Sequence, residues 1–400
     1  MVPWLPEADS LACLGVDMFD GLAPFLARRD AWAYLAACLT AIAISVPVAR
    51  YVRDLALARG LVDPVGGRKQ HKTPVPRLGG CGIFAGFAVG SAVGLWLLGP
   101  DILARSTVWP TMWPLLVGAS VMFITGLADD LLHRQGREGL PALLKLVLQV
   151  GAACVVAGVA RVQGLALPGG VYVDFPVWLE WGLTVFWVVF VTNAINWIDG
   201  MDGLAGGLSL IFALCLGLVG MSRAPGVGTF GEPVLALALV GGLVGFLRLN
   251  FPPATMFMGD GGALFLGYVL AAISVSGLMK GAALIGIATP MMVMALPMID
   301  SVKVVFGRAV RRERLMAADR THLQFRLTDA GWEVHSSLLF AYALAGLSGC
   351  AAMALLRLRG GGASLAILVS VLLVWVAARR PKPCPPAEPV SAAVDDSATE

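Results

Sequence analysis

An all-α integral membrane protein is the fold class that this sequence predicts, and three observations predict it. Of 400 residues, 58% are hydrophobic and 14% charged, where a soluble domain carries about 25% charged residues. Apolar runs of 17 to 22 residues recur along the whole chain. Each is long enough to cross a bilayer core as a helix. The short alternating segments of a membrane barrel do not occur in the sequence.

Eleven transmembrane helices follow, near 31–50, 79–98, 110–128, 142–160, 177–195, 203–221, 233–250, 262–279, 281–301, 335–356 and 362–378. Their connections alternate sides. One set is 51–78, 129–141, 196–202, 251–261, 302–334 and the tail; with the adjoining helix ends it holds 21 Lys and Arg, against 8 in the other set. Positive charge collects on the cytoplasmic side, so the first set is expected there, with the N-terminus outside and the C-terminus inside. Residues 1–30 then form an extracytoplasmic segment. They carry Glu7, Asp9, Asp17 and Asp20 and lack the basic start of a cleaved leader. Residues 31–380 form the polytopic domain, and 381–400, rich in Pro, Ala and Ser, read as a disordered tail. The seven Cys show no metal-ligand spacing and read as free thiols. A net charge of +3 gives no argument for nucleic acid as a partner.

Every polar cluster falls in the cytoplasmic set. The stretch from Asn193 to Ala205 carries Asn193, Asn196, Asp199 and Asp202, with a Gly after each Asp. Two carboxylates so spaced suit a hard cation; the plain alternative is a Gly-rich turn with Asp caps. The third span ends at Asp129-Asp130. A divalent cation would relieve their repulsion; otherwise they mark a solvated helix end. Lys145 is a counter-charge or a snorkelling interfacial lysine. Asp260 stands among Gly259, Gly261 and Gly262, where a bulky anion is expected to approach the backbone closely. Phe257 can stack on a base. The loop from Asp63 to Gly80 holds Arg68, Lys69, His71, Lys72 and Arg77, which suit phosphate or merely set topology. In the last large loop His322 lies between Arg320 and Arg326. Carboxylates that hold Mg²⁺, or Mn²⁺ in its place, and cations that neutralise phosphates are the parts of phosphoryl transfer. A Walker-type loop is missing, which argues against an ATP-driven pump.

These residues resemble the polyprenyl-phosphate N-acetylhexosamine-1-phosphate transferase family, the integral-membrane group of MraY and WecA. The matching stretches are 63–80, 126–130, 193–205, 257–262 and 319–327, in the family's order, and the likeness covers roughly 31–380. The resemblance implies a Mg²⁺-dependent enzyme of the inner (plasma) membrane, with its active site facing the cytoplasm. It would move a sugar-1-phosphate from a UDP-N-acetylhexosamine to a polyprenyl phosphate and release UMP. It implies that Asp129 and Asp130 lie near the lipid phosphate, one of them as base, and that Asp199 and Asp260 lie at the metal and diphosphate. Lys72, Asp202, Asn250 and Phe257 would contact the uridine, and Lys145 the phosphates. A homodimer is compatible with the family.

The stretch Asp319-Arg320-Thr321-His322 with Arg326-Leu327 resembles the WecA-like branch, which uses UDP-N-acetylglucosamine or a near relative. Gln324 and Phe325 depart from it, standing where the family usually has two His. An MraY-like phospho-MurNAc-pentapeptide transferase is the alternative inside the family. An ion-coupled transporter is the rival outside it, because intramembrane carboxylates suit transport too. Against it, the acids lie at the ends of spans and no inverted repeat is visible. A catalytically inactive scaffold stays open on account of Gln324 and Phe325.

Overall fold

The structure is a computed structural model. It describes residues 29–63, 75–103, 108–133, 139–166, 172–221, 231–279, 290–292, 294–311, 326–327 and 329–357. The long helices are α1 (Arg29–Ala58), α2 (Gly80–Leu98), α4 (Val108–His133), α5 (Ala142–Val159), α6 (Val177–Ile198), α7 (Leu204–Met221), α8 (Gly231–Asn250), α9 (Gly259–Ser274), α10 (Ala295–Arg311) and α11 (Val334–Arg357). A single turn, α3 (Pro100–Leu103), follows α2, and a π-helical turn, Val275–Met279, continues α9. Two small antiparallel pairs complete the described elements: β1 (Val62–Asp63) with β2 (Val75–Pro76), and β3 (Gly164–Ala166) with β4 (Tyr172–Asp174).

Among the described residues nine helices are long and apolar enough to cross a membrane. This is a multi-pass, all-α membrane protein. The expected span 362–378, the N-terminal segment and the C-terminal tail lie outside the described residues. The expected span 281–301 is altered: 280–289 lie outside them, and α10 runs on to Arg311. Helical spacing persists there because Val302, Phe306 and Val310 form an exposed apolar stripe, while Asp300, Ser301 and Arg308 are buried. The third span also runs further than expected, through Asp129 and Asp130 to His133. No Pro or Gly interrupts residues 127–133, and both carboxylates find partners on neighbouring elements.

Helix α9 is the axis of the bundle. Its spanning window is 94% buried, against 28% for α5 at the periphery. It packs on α4, α6 and α2. Phe84 of α2 stacks on Phe123 of α4, with Phe265 of α9 set edge-on to Phe84 and Phe87. On the other side α1, α2 and α8 pack through small residues. Added Cβ atoms at Gly82, Gly86 and Gly90 of α2 would meet Ala49, Ser45 and Ala41 of α1. Lipid gives helices no hydrophobic reason to associate, so close backbone approach supplies the dispersion contact instead. The helices alternate in direction, and the N-terminus of α9 meets the C-termini of α4, α6 and α8 at one end of the bundle.

Candidate active site

The site grows from the N-terminus of α9. The first N–H groups of a helix have no intrahelical acceptor and need one. Asp130 supplies it: its Oδ1 accepts from Asp260 N at 3.0 Å and its Oδ2 from Gly261 N at 2.9 Å. The segment leading into α9 is pinned to the chain before α2. Phe257 N donates to Pro76 O at 2.8 Å, Gly79 N to Phe257 O at 2.9 Å and Gly80 N to Met258 O at 2.9 Å. Gly259 has φ +75°, the left-handed region that favours glycine.

The glycines around Asp260 serve protein packing. A Cβ on Gly126 would strike the Asp260 carbonyl, and one on Gly80 would strike Gly262 N. Backbone from α2, α4 and α9 fills the space that the sequence suggested for an anion. The small residues beside Asp260 therefore find protein packed against them where the sequence suggested a ligand.

Lys145, near the start of α5, bridges two carboxylates. Its Nζ lies 3.2 Å from Asp129 Oδ2 and 3.2 Å from Asp260 Oδ2. Asp129 also accepts Leu140 N at 2.6 Å. Adjacent in sequence, Asp129 and Asp130 thus have separate surroundings, because successive helical residues point about 100° apart. Lys145 is a counter-charge, and the snorkelling alternative falls. Arg77 acts electrostatically on Asp130, Asp199 and Asp260. In the sequence it is one basic residue among several between Asp63 and Gly80, with nothing to set it apart.

Asp199 caps the C-terminal end of α6, with its N–H on Asn196 O at 3.4 Å. Burial pushes its carboxyl up to about 7; Arg77 pulls it down, while Asp260 and Asp202 push it higher. The turn that follows is held from outside. Asn250 Oδ1 accepts Gly203 N at 3.0 Å, and the Tyr342 hydroxyl donates to Gly203 O at 2.7 Å. Asp202 Oδ2 accepts Ala254 N at 2.9 Å, and Asn250 Nδ2 donates to Met256 O at 2.9 Å. Asn250 and Asp202 therefore tie the turn after α6 to the loop that carries Phe257. Asn193 gives Nδ2 to Gln149 Oε1 at 2.6 Å and to Val189 O at 2.8 Å. Sequence reasoning missed Gln149; its one signal is a place four residues after Lys145, on the same face of α5. Arg326 lies beside Lys303 of α10, whose ammonium is pulled down first by burial and then by that guanidinium. Lys72 and His322 lie outside the described residues.

Among the described residues no three His, Cys, Asp or Glu side chains form a ready-made metal cage. Mg²⁺ needs none, since it binds through one or two carboxylates with water and substrate phosphates. Asp199 has no hydrogen-bond donor on its carboxylate among the described residues, and it feels Asp260 and Asp202 as like charges. That oxygen donor set fits a hard divalent cation.

Residues 112–278 match the family described as Glycosyl transferase family 4. A probable undecaprenyl-phosphate N-acetylglucosaminyl 1-phosphate transferase of Bacillus subtilis is 33% identical over 316 residues, 78% of this chain and 80% of that protein. The chain belongs to glycosyl transferase family 4. Two further relatives widen the picture. A decaprenyl-phosphate N-acetylglucosaminephosphotransferase of Mycobacterium tuberculosis is 34% identical over 333 residues, covering 77% of this chain and 79% of that one. A phospho-N-acetylmuramoyl-pentapeptide-transferase of Moorella thermoacetica is 33% identical over 340 residues, covering 81% and 97%. The matched family 4 segment runs from α4 to the end of α9 and so contains Asp129, Asp130, Lys145, Asp199 and Asp260.

Proposed function

We propose that this family 4 enzyme transfers N-acetylglucosamine-1-phosphate from UDP-N-acetylglucosamine to undecaprenyl phosphate, or a similar polyprenyl phosphate, and releases UMP. The observation that carries the reading is Lys145 bridging Asp129 and Asp260 at the capped N-terminus of α9. The donor and lipid are taken from the names of the Bacillus and Mycobacterium relatives. The cytoplasmic placement of this end rests on the distribution of Lys and Arg.

The reaction exchanges one P–O bond for another. An oxygen of the lipid phosphate attacks the phosphorus that bears the sugar, and the bond from that phosphorus to UMP breaks. Near pH 7 a phosphate monoester carries a charge of about −1.5 to −2, so the nucleophile arrives largely deprotonated. The work left to the protein is to bring two anions together and hold them in line. Lys145 and Arg77 supply positive charge. Asp129, oriented by Lys145 and Leu140 N–H, takes the remaining proton from the lipid phosphate. Asp130, with both oxygens on amides, holds α9 and hence Asp260 in place. Asp199 and Asp260 would hold Mg²⁺, which when bound neutralises the diphosphate and polarises its oxygens. Phe257 offers its ring to uracil, on the loop that Asp202 and Asn250 tie to the turn after α6. Lys72, His322 and Arg326 contact phosphate in this reading, and Asn196 lines the donor site.

The test uses purified protein in detergent with UDP-N-acetylglucosamine, undecaprenyl phosphate and Mg²⁺. Lipid-dependent UMP release that excess chelator abolishes is the expected result. No UMP with any UDP-N-acetylhexosamine would overturn the reading. The second reading, a donor carrying MurNAc-pentapeptide, draws on the Moorella relative, and a screen of UDP-sugars separates the two.

A further inference from the structure

Helix α5 raises a physical problem that the proposed reaction does not address. It lies at the edge of the bundle, with Leu143, Leu144, Val147, Val150 and Val155 exposed. Its sequence, from Ala142 to Val159, contains only two strongly polar side chains, Lys145 and Gln149. Lipid tails and apolar side chains are equivalent neighbours, so hydrophobicity alone does not set the rotation of such a helix; the packing of its small buried face, Ala152, Ala153, Val156 and Ala157, and its polar contacts must do so. Yet Lys145 must point at two carboxylates on two different helices, α4 and α9, at the same 3.2 Å.

Gln149 is one turn further along the same face. It is buried, at 4% exposure. Its Oε1 accepts from Asn193 Nδ2 at 2.6 Å, and its Nε2 approaches Asn193 Oδ1 at 3.5 Å. The second Nδ2 proton of Asn193 goes to Val189 O on the preceding turn of α6. Both amide protons of Asn193 are thus used inside the protein. In an apolar setting an unpaired amide is costly, so a rotation of α5 that separates this pair is opposed.

We propose that Gln149 is a positioning residue: its amide pair with Asn193 fixes the rotation of α5 on α6, so that Lys145 reaches Asp129 and Asp260 together. The consequence for activity rests on the transferase reading; the consequence for Lys145 does not.

The experiment uses the full chain in detergent and three proteins: wild type, Gln149→Leu, and the exchange Gln149→Asn with Asn193→Gln. Leu keeps the volume and removes the amide. The exchange keeps both amides and their summed length. Lys145, 24% exposed at its side chain, is labelled with an amine-reactive ester and quantified by peptide mass spectrometry. An ammonium held by two carboxylates is a poor nucleophile, so labelling is expected to rise about fivefold or more in Gln149→Leu. Transfer is expected to fall about tenfold or more, as a misplaced group costs. The exchange should recover most of both. Unchanged Lys145 labelling in Gln149→Leu overturns the proposal, whether or not activity falls with the melting midpoint. So does failure of the exchange to recover either readout while it melts like wild type. If wild type makes no UMP but the labelling behaves as expected, the transferase reading falls and the positioning role stands.

Discussion

The two ends of the bundle handle charge in opposite ways. At the end away from Asp260, Arg161 at the close of α5 donates to Glu180 of α6 at 2.8 Å and to Ala157 O at 3.0 Å, with its guanidinium 5.8 Å from the Trp181 ring centre. Arg161 and Glu180 thus satisfy each other inside the protein. Exposed Trp32, Trp96, Trp109, Trp113 and Trp178 cluster at that end, as aromatic side chains do at a membrane surface. At the site end, Asp129, Asp130, Asp199 and Asp260 converge on Lys145 and Arg77. Among the described residues these four carboxylates meet two cations, and Asp199 is pushed up to about 7 by burial and like charge. One end is resolved and structural. The other gathers like-charged carboxylates around Lys145 and Arg77, an arrangement that suits a cation and a phosphate substrate.

The contrast can be broken experimentally. The largest effect is expected from Asp260→Asn, which keeps shape and removes charge: transfer should fall by at least ~10²-fold, as on losing a principal electrostatic stabiliser. Activity within a few-fold of wild type would mean that the converging acids serve the fold alone. Phe257→Ala should act on donor binding. Base stacking is worth about 1–3 kcal/mol, so the KM for the UDP-sugar should rise about tenfold while kcat changes less. A collapsed kcat with an unchanged KM would contradict the assignment.

Asp199→Asn sharpens the comparison through pH. A carboxyl raised from 3.8 to about 7 in the folded state holds its proton there when the unfolded chain has released it. Stability from this group is therefore present at low pH and lost as pH rises from about 4 to about 7. In chelator, Asp199→Asn should melt slightly above wild type at pH 5 and further above it at pH 8, while in Mg²⁺ it loses activity at both. An equal shift at the two pH values would show that Asp199 ionises freely. The smallest effect belongs to the far end. Glu180→Gln keeps a hydrogen bond to Arg161 and loses the charge, so it should cost about 1 kcal/mol of stability and leave kcat within about twofold. A large loss of activity would remove the distinction between the two ends.

The sequence announced most of the bundle because apolar runs of spanning length need no tertiary context. Its errors fall where context decides. The third span continues past 128 because Asp129 and Asp130 are satisfied by α5 and α9, which the local sequence does not reveal. The extension of α10 to Arg311 came from an inverted pattern, polar side inward, that resembles a soluble loop when read by hydropathy alone. In the site, Asp129, Lys145, Asp199 and Asp260 were legible as polar groups where polarity is costly. Asp130 was legible as a residue but not as a cap, since its partners are amides 130 positions away. Gln149 offered only its spacing from Lys145 and Tyr342 offered nothing, because each acts on a residue distant in sequence, Asn193 and Gly203.

The glycine packing beneath Asp260 has a consequence for resistance to inhibitors. At Gly80, Gly126 and Gly262 the neighbour of any added Cβ is mainly main chain. Every one-base change of a glycine codon that leaves a sense codon for another residue adds a Cβ, so these positions have no cheap escape. A compound that binds Asp260 and Lys145 would rest on side chains which that packing holds in place. Sequencing of isolates selected under such a compound should find changes at Phe257 and in the surrounding loops, and none at these three glycines.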